Sequence, residues 1–93
     1  MGDSSHAEGS GSQTFGSNSH AEGSSRTYGA NSHAEGNNTE SHGVASHAEG
    51  YNTIATGKYA HSSGNGTIAE GTASIAGGYK TEAIGEYSIT HGT

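Results

Sequence analysis

Serine, histidine and glutamate recur together four times in this chain, always as Ser-His-Ala-Glu-Gly, at residues 5–9, 19–23, 32–36 and 46–50. Two chemistries are open to such a set. Nucleophilic catalysis needs a serine hydroxyl bonded to a histidine that a carboxylate orients. Metal binding needs imidazole and carboxylate converging on one point, a donor set that suits zinc or nickel. Sequence neighbours on a strand point to opposite faces, so Ser19 faces away from the ring of His20. The motif also repeats, whereas an active site is normally one constellation. Catalysis is therefore not expected. Histidine and glutamate two residues apart do share a face. His6, His20, His33, His47 and His61 hold one position of successive repeats, and Glu8, Glu22, Glu35 and Glu49 hold the position two residues on. These residues are the candidate ligands for a divalent metal ion; the competing reading is a polar ladder that holds none. No other cofactor is expected. The rows also predict pH sensitivity, because neighbouring carboxylates favour protonated imidazole and would raise the histidine pKa values on folding.

The elements that position these rows follow from the glycines. Gly9, Gly16, Gly23, Gly29, Gly36, Gly43, Gly50, Gly57, Gly64, Gly71, Gly78, Gly85 and Gly92 are spaced by seven residues throughout, except for a spacing of six between Gly23 and Gly29. Each closes a unit of the form [ST]-x-[AST]-x-G, with Ala60 the one departure at the first position, and a two-residue link follows. On a strand, the first, third and fifth positions share a face, and here all of them are small. A uniformly small face implies close packing of two strands across a thin interior. The links, often with Asn or Gly, suit tight turns that need unusual backbone angles. Two units make one coil of about 14 residues, and strands of successive coils stack in parallel roughly 4.8 Å apart, which gives a rod of about 31 Å. If the missing residue before Gly29 shifted strand pairing, every outward side chain beyond it would turn inward. The pattern resumes intact, so the turn must absorb the deletion. Residues 1–4 read as a lead-in and 5–93 as one repeat domain.

Composition removes most alternatives. Leu, Ile, Val and Phe together contribute seven of 93 residues, and the net charge is −6. Such a chain cannot build a conventional globular core, and without its periodicity it would read as disordered. The absence of cysteine excludes disulfide and zinc-thiolate frameworks. Three basic residues against nine acidic ones argue against nucleic acid, which needs a positive stripe to replace phosphate counterions. No apolar run approaches the roughly 18 residues of a membrane span, so no membrane insertion is expected. No signal peptide is expected in these residues either.

The units Asn18-Ser19-His20-Ala21-Glu22-Gly23 and Asn31-Ser32-His33-Ala34-Glu35-Gly36 resemble the head repeats of trimeric autotransporter adhesins, the YadA-like head. Ser-His-Ala-Glu-Gly is also similar to repeats of phage tail fibre and appendage proteins. The resemblance spans residues 5–93. It implies an all-β, left-handed parallel β-roll (a β-solenoid), three chains around a three-fold axis, with small residues inside each roll. It implies an extracellular place, on a virion fibre or a bacterial cell surface. It also implies a non-enzymatic role, in which the chain projects from that surface or contacts a host-surface glycan or protein receptor. The chain departs from adhesin heads, which usually carry Val and Ile at the axis-facing positions, where it has His and Glu.

Two orientations follow. In one, the intervening strands face the axis and bury Phe15, Tyr28, Ile54, Ile68 and Ile84, although Arg26, Glu40, Glu70 and Glu82 share that face. In the other, the His–Glu ladder lines the axis, and three symmetry-related histidines could share an ion. Burying a glutamate from each chain in every layer is expensive unless each charge is paired, so the first orientation is favoured. The second class of function is a metal- or pH-responsive module built on the ladder.

Overall fold

The computed structural model describes residues 5–9 and 11–92. The expected lead-in, residues 1–4, lies outside the described residues. No α-helix occurs among the described residues, and no helix is long and apolar enough to cross a membrane. The strands are β1 (His6–Glu8), β2 (Gln13–Thr14), β3 (His20–Thr27), β4 (His33–Ser41), β5 (His47–Tyr51), β6 (Ile54–Ala55), β7 (His61–Asn65), β8 (Ile68–Ala69), β9 (Ile75–Gly78), β10 (Glu82–Ala83) and β11 (Ile89–Gly92). Every pairing among them is parallel.

The chain is a β-solenoid of about 14 residues per coil. One ladder runs β1, β3, β4, β5, β7, β9, β11. A second runs β2, β3, β4, β6, β8, β10. The two are joined because β3 and β4 each bend from one face to the other. The longest Cα dimension is 33 Å and the shortest 9 Å, close to the length the coil count predicts and thin for a two-layer structure.

Thinness is a direct consequence of side-chain size. The interior holds Ala21, Ala34, Ala48, Ala55, Ala60, Ala69, Ala76 and Ala83, with Ser and Thr between them, all buried. No buried side chain among the described residues is larger than threonine. The interior hydroxyls bond locally. Ser19, Ser32 and Ser46 donate to the carbonyls of Gly16, Gly29 and Gly43 at 2.6–2.7 Å, and the Thr27 hydroxyl donates to Ser19 Oγ at 2.9 Å. Backbone N–H groups not engaged within a coil reach the next coil, as His47 N does to Ala60 O at 2.9 Å. Buried polar backbone is thereby satisfied without helices or a large core.

The turns explain the link composition. At one edge, the second link residue is Asn18, Asn31, Ala45, Tyr59, Ala73 or Tyr87, each with φ between 56° and 60°. That is the left-handed region, which Asn tolerates and Ala and Tyr adopt at a cost. The six-residue spacing is absorbed as expected. Ser24 pairs with Asn37 and Ser25 with Thr39, so Asn38 is skipped, and Ser25 and Thr27 remain buried.

One expectation is corrected. The glycines do not all join the inward face. Those closing the His-bearing units, such as Gly50 (φ +112°), lie exposed where the chain bends from one ladder toward the other. A Cβ on Gly50 would stand 2.1 Å from the Gly64 carbonyl oxygen. Glycine recurs there because backbone stacks directly on backbone, not because the interior is narrow.

Candidate functional site

The ladder of imidazoles assembles as the spacing predicts. His6 pairs in register with His20, His20 with His33, His33 with His47 and His47 with His61. Ring centroids are separated by 4.6–4.8 Å, the interstrand repeat itself. The rings from His20 to His61 lie within 5° of parallel, neighbour to neighbour. His6 and His20 differ, with planes tilted 52°. Beyond His61 the same row continues as Ile75 and Ile89.

Beside this row runs the row of carboxylates. Glu8 lies 3.4 Å from His6 Nε2 and 3.9 Å from His20 Nε2. Glu22 lies 3.3 Å from His20. Glu35 reaches His33 at 3.9 Å and His47 at 3.6 Å. Glu49 reaches His47 at 3.9 Å and His61 at 3.2 Å. The His61 N–H donates to the Glu49 carboxylate, which can only accept. Thus a carboxylate sits beside two successive rings at most steps of the ladder. The Nε2 atoms of His20, His33 and His47 are shielded from solvent and make no hydrogen bond, although a carboxylate stands within 4 Å of each. Three groups, His6–Glu8–His20, His20–Glu22–His33 and His33–Glu35–His47, hold their ligand atoms within 4.8 Å of one another.

The electrostatics correct a second expectation. The pKa of His47 is lowered, not raised. Burial between its neighbours is the largest cause, His33 and His61 add like-charge repulsion, and these outweigh the attraction of Glu49 and Glu35. The Glu49 carboxyl is also lowered, chiefly because His61 donates a hydrogen bond to it. At His47 stacking acts in two ways: it buries the ring and it sets it between two other imidazoles.

The serines of the motif are elsewhere. Ser19, Ser32 and Ser46 point into the roll and bond glycine carbonyls, while the histidines that follow them face outward.

The opposite ladder carries the candidate axis residues. Phe15 stacks on Tyr28 with centroids 5.0 Å apart and planes 5° from parallel. Ile54 pairs with Ile68, and both are half-buried in the single chain. Phe15 is 52% exposed and Ile84 62%. One cluster on this face was missed from the sequence. Glu40 bonds His42 at 2.8 Å and lies 3.6 Å from Arg26, and the His42 ring stacks on Tyr28 at 4.4 Å. The signal was present, since His42 holds the position of Phe15 and Tyr28 in the next coil. Arg26 and Glu40, intrusions among apolar residues by sequence position, neutralise one another.

No family model matches this chain and no curated protein matches it, so its functional reading rests on the repeat, the rows of side chains and the two faces they define.

Proposed function

We propose that this chain is a non-enzymatic segment of a trimeric extracellular fibre, of the kind found as a phage tail fibre or appendage or as a bacterial adhesin head. It projects a binding surface and contacts a host-surface glycan or protein receptor. Three left-handed rolls pack side by side through the face that carries Phe15, Tyr28, Ile54, Ile68 and Ile84.

The observation that carries this reading is where the large apolar side chains sit. Among the described residues none of them is buried inside the roll, and Phe15, Tyr28 and Ile84 lie exposed on one ladder. Burying them against other copies supplies apolar contact that a single thin roll lacks. The other face makes the weaker axis, because its histidines and glutamates already stand 3.2–3.9 Å from one another within one chain. Packing them around an axis would remove water from continuous rows of ionisable groups with no added partner. Arg26, Glu40 and His42 fit the favoured face because they pair among themselves.

Light scattering on the eluting peak tests the assembly, with a mass of three chains expected at neutral pH. Ile54→Asp with Ile68→Asp should reduce that mass to one chain. A wild-type mass of one chain, or a trimer that both substitutions leave equally stable, would overturn the assignment of this face to the axis.

A further inference from the structure

We infer that the His–Glu ladder is a binding site for divalent ions of the zinc and nickel class, loaded at alternate steps, with each ion held between two successive coils of one chain. The inference does not depend on trimer formation, since every ligand comes from a single chain.

The donor set is the first ground. Each group offers two imidazole nitrogens and one carboxylate, ligands that suit zinc and nickel rather than magnesium or calcium. The second is spacing. Metal–nitrogen bonds of about 2.0–2.1 Å in a tetrahedron set ligand atoms about 3.3 Å apart. Within the three groups the Nε2-to-carboxylate distances run from 3.3 to 3.9 Å and all ligand atoms lie within 4.8 Å of one another, so side-chain movements of up to about 1.5 Å close the site. The third is the state of the nitrogens. His20, His33 and His47 each bury an Nε2 that has no hydrogen-bond partner and stands beside a carboxylate. An ion bonded to that nitrogen satisfies it and offsets the negative charge of the adjoining row.

Alternation follows from sharing. His20 belongs to two of the three groups, and so does His33. An ion that engages His20 through Nε2 in one group removes it from the next. Five histidines in a row, used two at a time, hold two ions. Parallel rings send their in-plane lone pairs along parallel lines, so two stacked imidazoles must tilt toward each other to share an ion. His6 and His20 are already tilted by 52°, whereas the pair His33 and His47 is 2° from parallel. The first ion therefore settles at His6, Glu8 and His20. The group that shares no residue with it, His33, Glu35 and His47, takes the second.

The test is a count of Zn2+ bound per chain, by calorimetric titration of EDTA-stripped protein at pH 7.5, across single substitutions in the ladder. The differences between variants are read, because His42 and His91 lie outside the row. Wild type should bind two ladder ions. His61→Asn should leave two, because His61 belongs to neither occupied group. His6→Asn, His20→Asn, His33→Asn and His47→Asn should each leave one, because the groups that survive are either a single one or two that share a histidine. Imidazole nitrogen NMR signals of His6 and His20 should move first. These side chains face outward, and circular dichroism of every variant checks that the roll is intact. Loss of one ion for every histidine removed would mean independent single-residue sites and would overturn the inference. So would unsaturable binding, or one ion per three chains, which would place the site on a three-fold axis.

Discussion

Replacing glycines by alanine at four positions separates two costs that the fold imposes. At Gly85 an added Cβ meets nothing nearer than 3.9 Å and φ is not positive. Alanine there should be neutral, or stabilising by about 0.4–1 kcal/mol through a less flexible unfolded chain. Gly11 has open space around it but a φ of +81°, so alanine should cost about 1–2 kcal/mol for a left-handed backbone alone. Gly43 has no positive φ, but its Cβ would stand 2.1 Å from the Gly57 carbonyl oxygen, against 3.4–4 Å for ordinary contact. The obstacle is backbone, which cannot swing away, so the coils must separate, at about 1–3 kcal/mol for overpacking. Gly50 combines both, with φ +112° and the Gly64 oxygen 2.1 Å from the new atom. Its substitution should cost about 2–5 kcal/mol from the two effects together, a large share of the stability of a small domain. Urea unfolding of the four variants at a common protein concentration measures the series. Equal losses at Gly50 and Gly85 would refute the claim that coil-on-coil backbone contact sets the glycine spacing.

Other outcomes follow from the turns, the interior and the ladder. Ala45 adopts φ 57° at a link position where Asn18 and Asn31 stand in earlier coils, so Ala45→Asn should stabilise by about 1 kcal/mol in a urea or thermal melt. Thr53 is fully buried and its hydroxyl has no hydrogen-bond partner; Thr53→Val keeps the shape, removes the stranded group, and should stabilise by about 1 kcal/mol by the same measurement. Metal-free protein should lose stability on acidification. The His47 pKa is depressed, so its contribution is present at neutral pH and is lost as pH falls below the ordinary histidine value of 6.5. The Glu49 pKa is depressed as well, so its contribution holds above 4.5 and is lost as pH falls further. Melting temperatures between pH 8 and pH 4 should fall in that direction, and a rise toward pH 5 would contradict the sign.

A repeat makes its own contacts legible. Each residue meets its counterpart one coil later by translation along the rod, so the column of histidines, its spacing and the small interior could be read from the 14-residue period alone. The deletion before Gly29 was also readable, because a register slip would have turned every later side chain inward. What translation does not specify is how a row relates to its neighbours. The corner glycines turned outward because their stacking constraint is backbone on backbone, which a face pattern does not reveal. The Arg26–Glu40–His42 cluster depends on diagonal approach across coils. The direction of the His47 shift depends on burial and on imidazoles to either side. The tilt of one ring pair against the stacking of the rest singles out a first ion site. Periodicity, and with it the fold, was determined by the order of small residues and glycines. Ring tilt, shielding and the pKa of His47 were decided only where successive coils stack side chain on side chain, because each is a property of a three-dimensional neighbourhood.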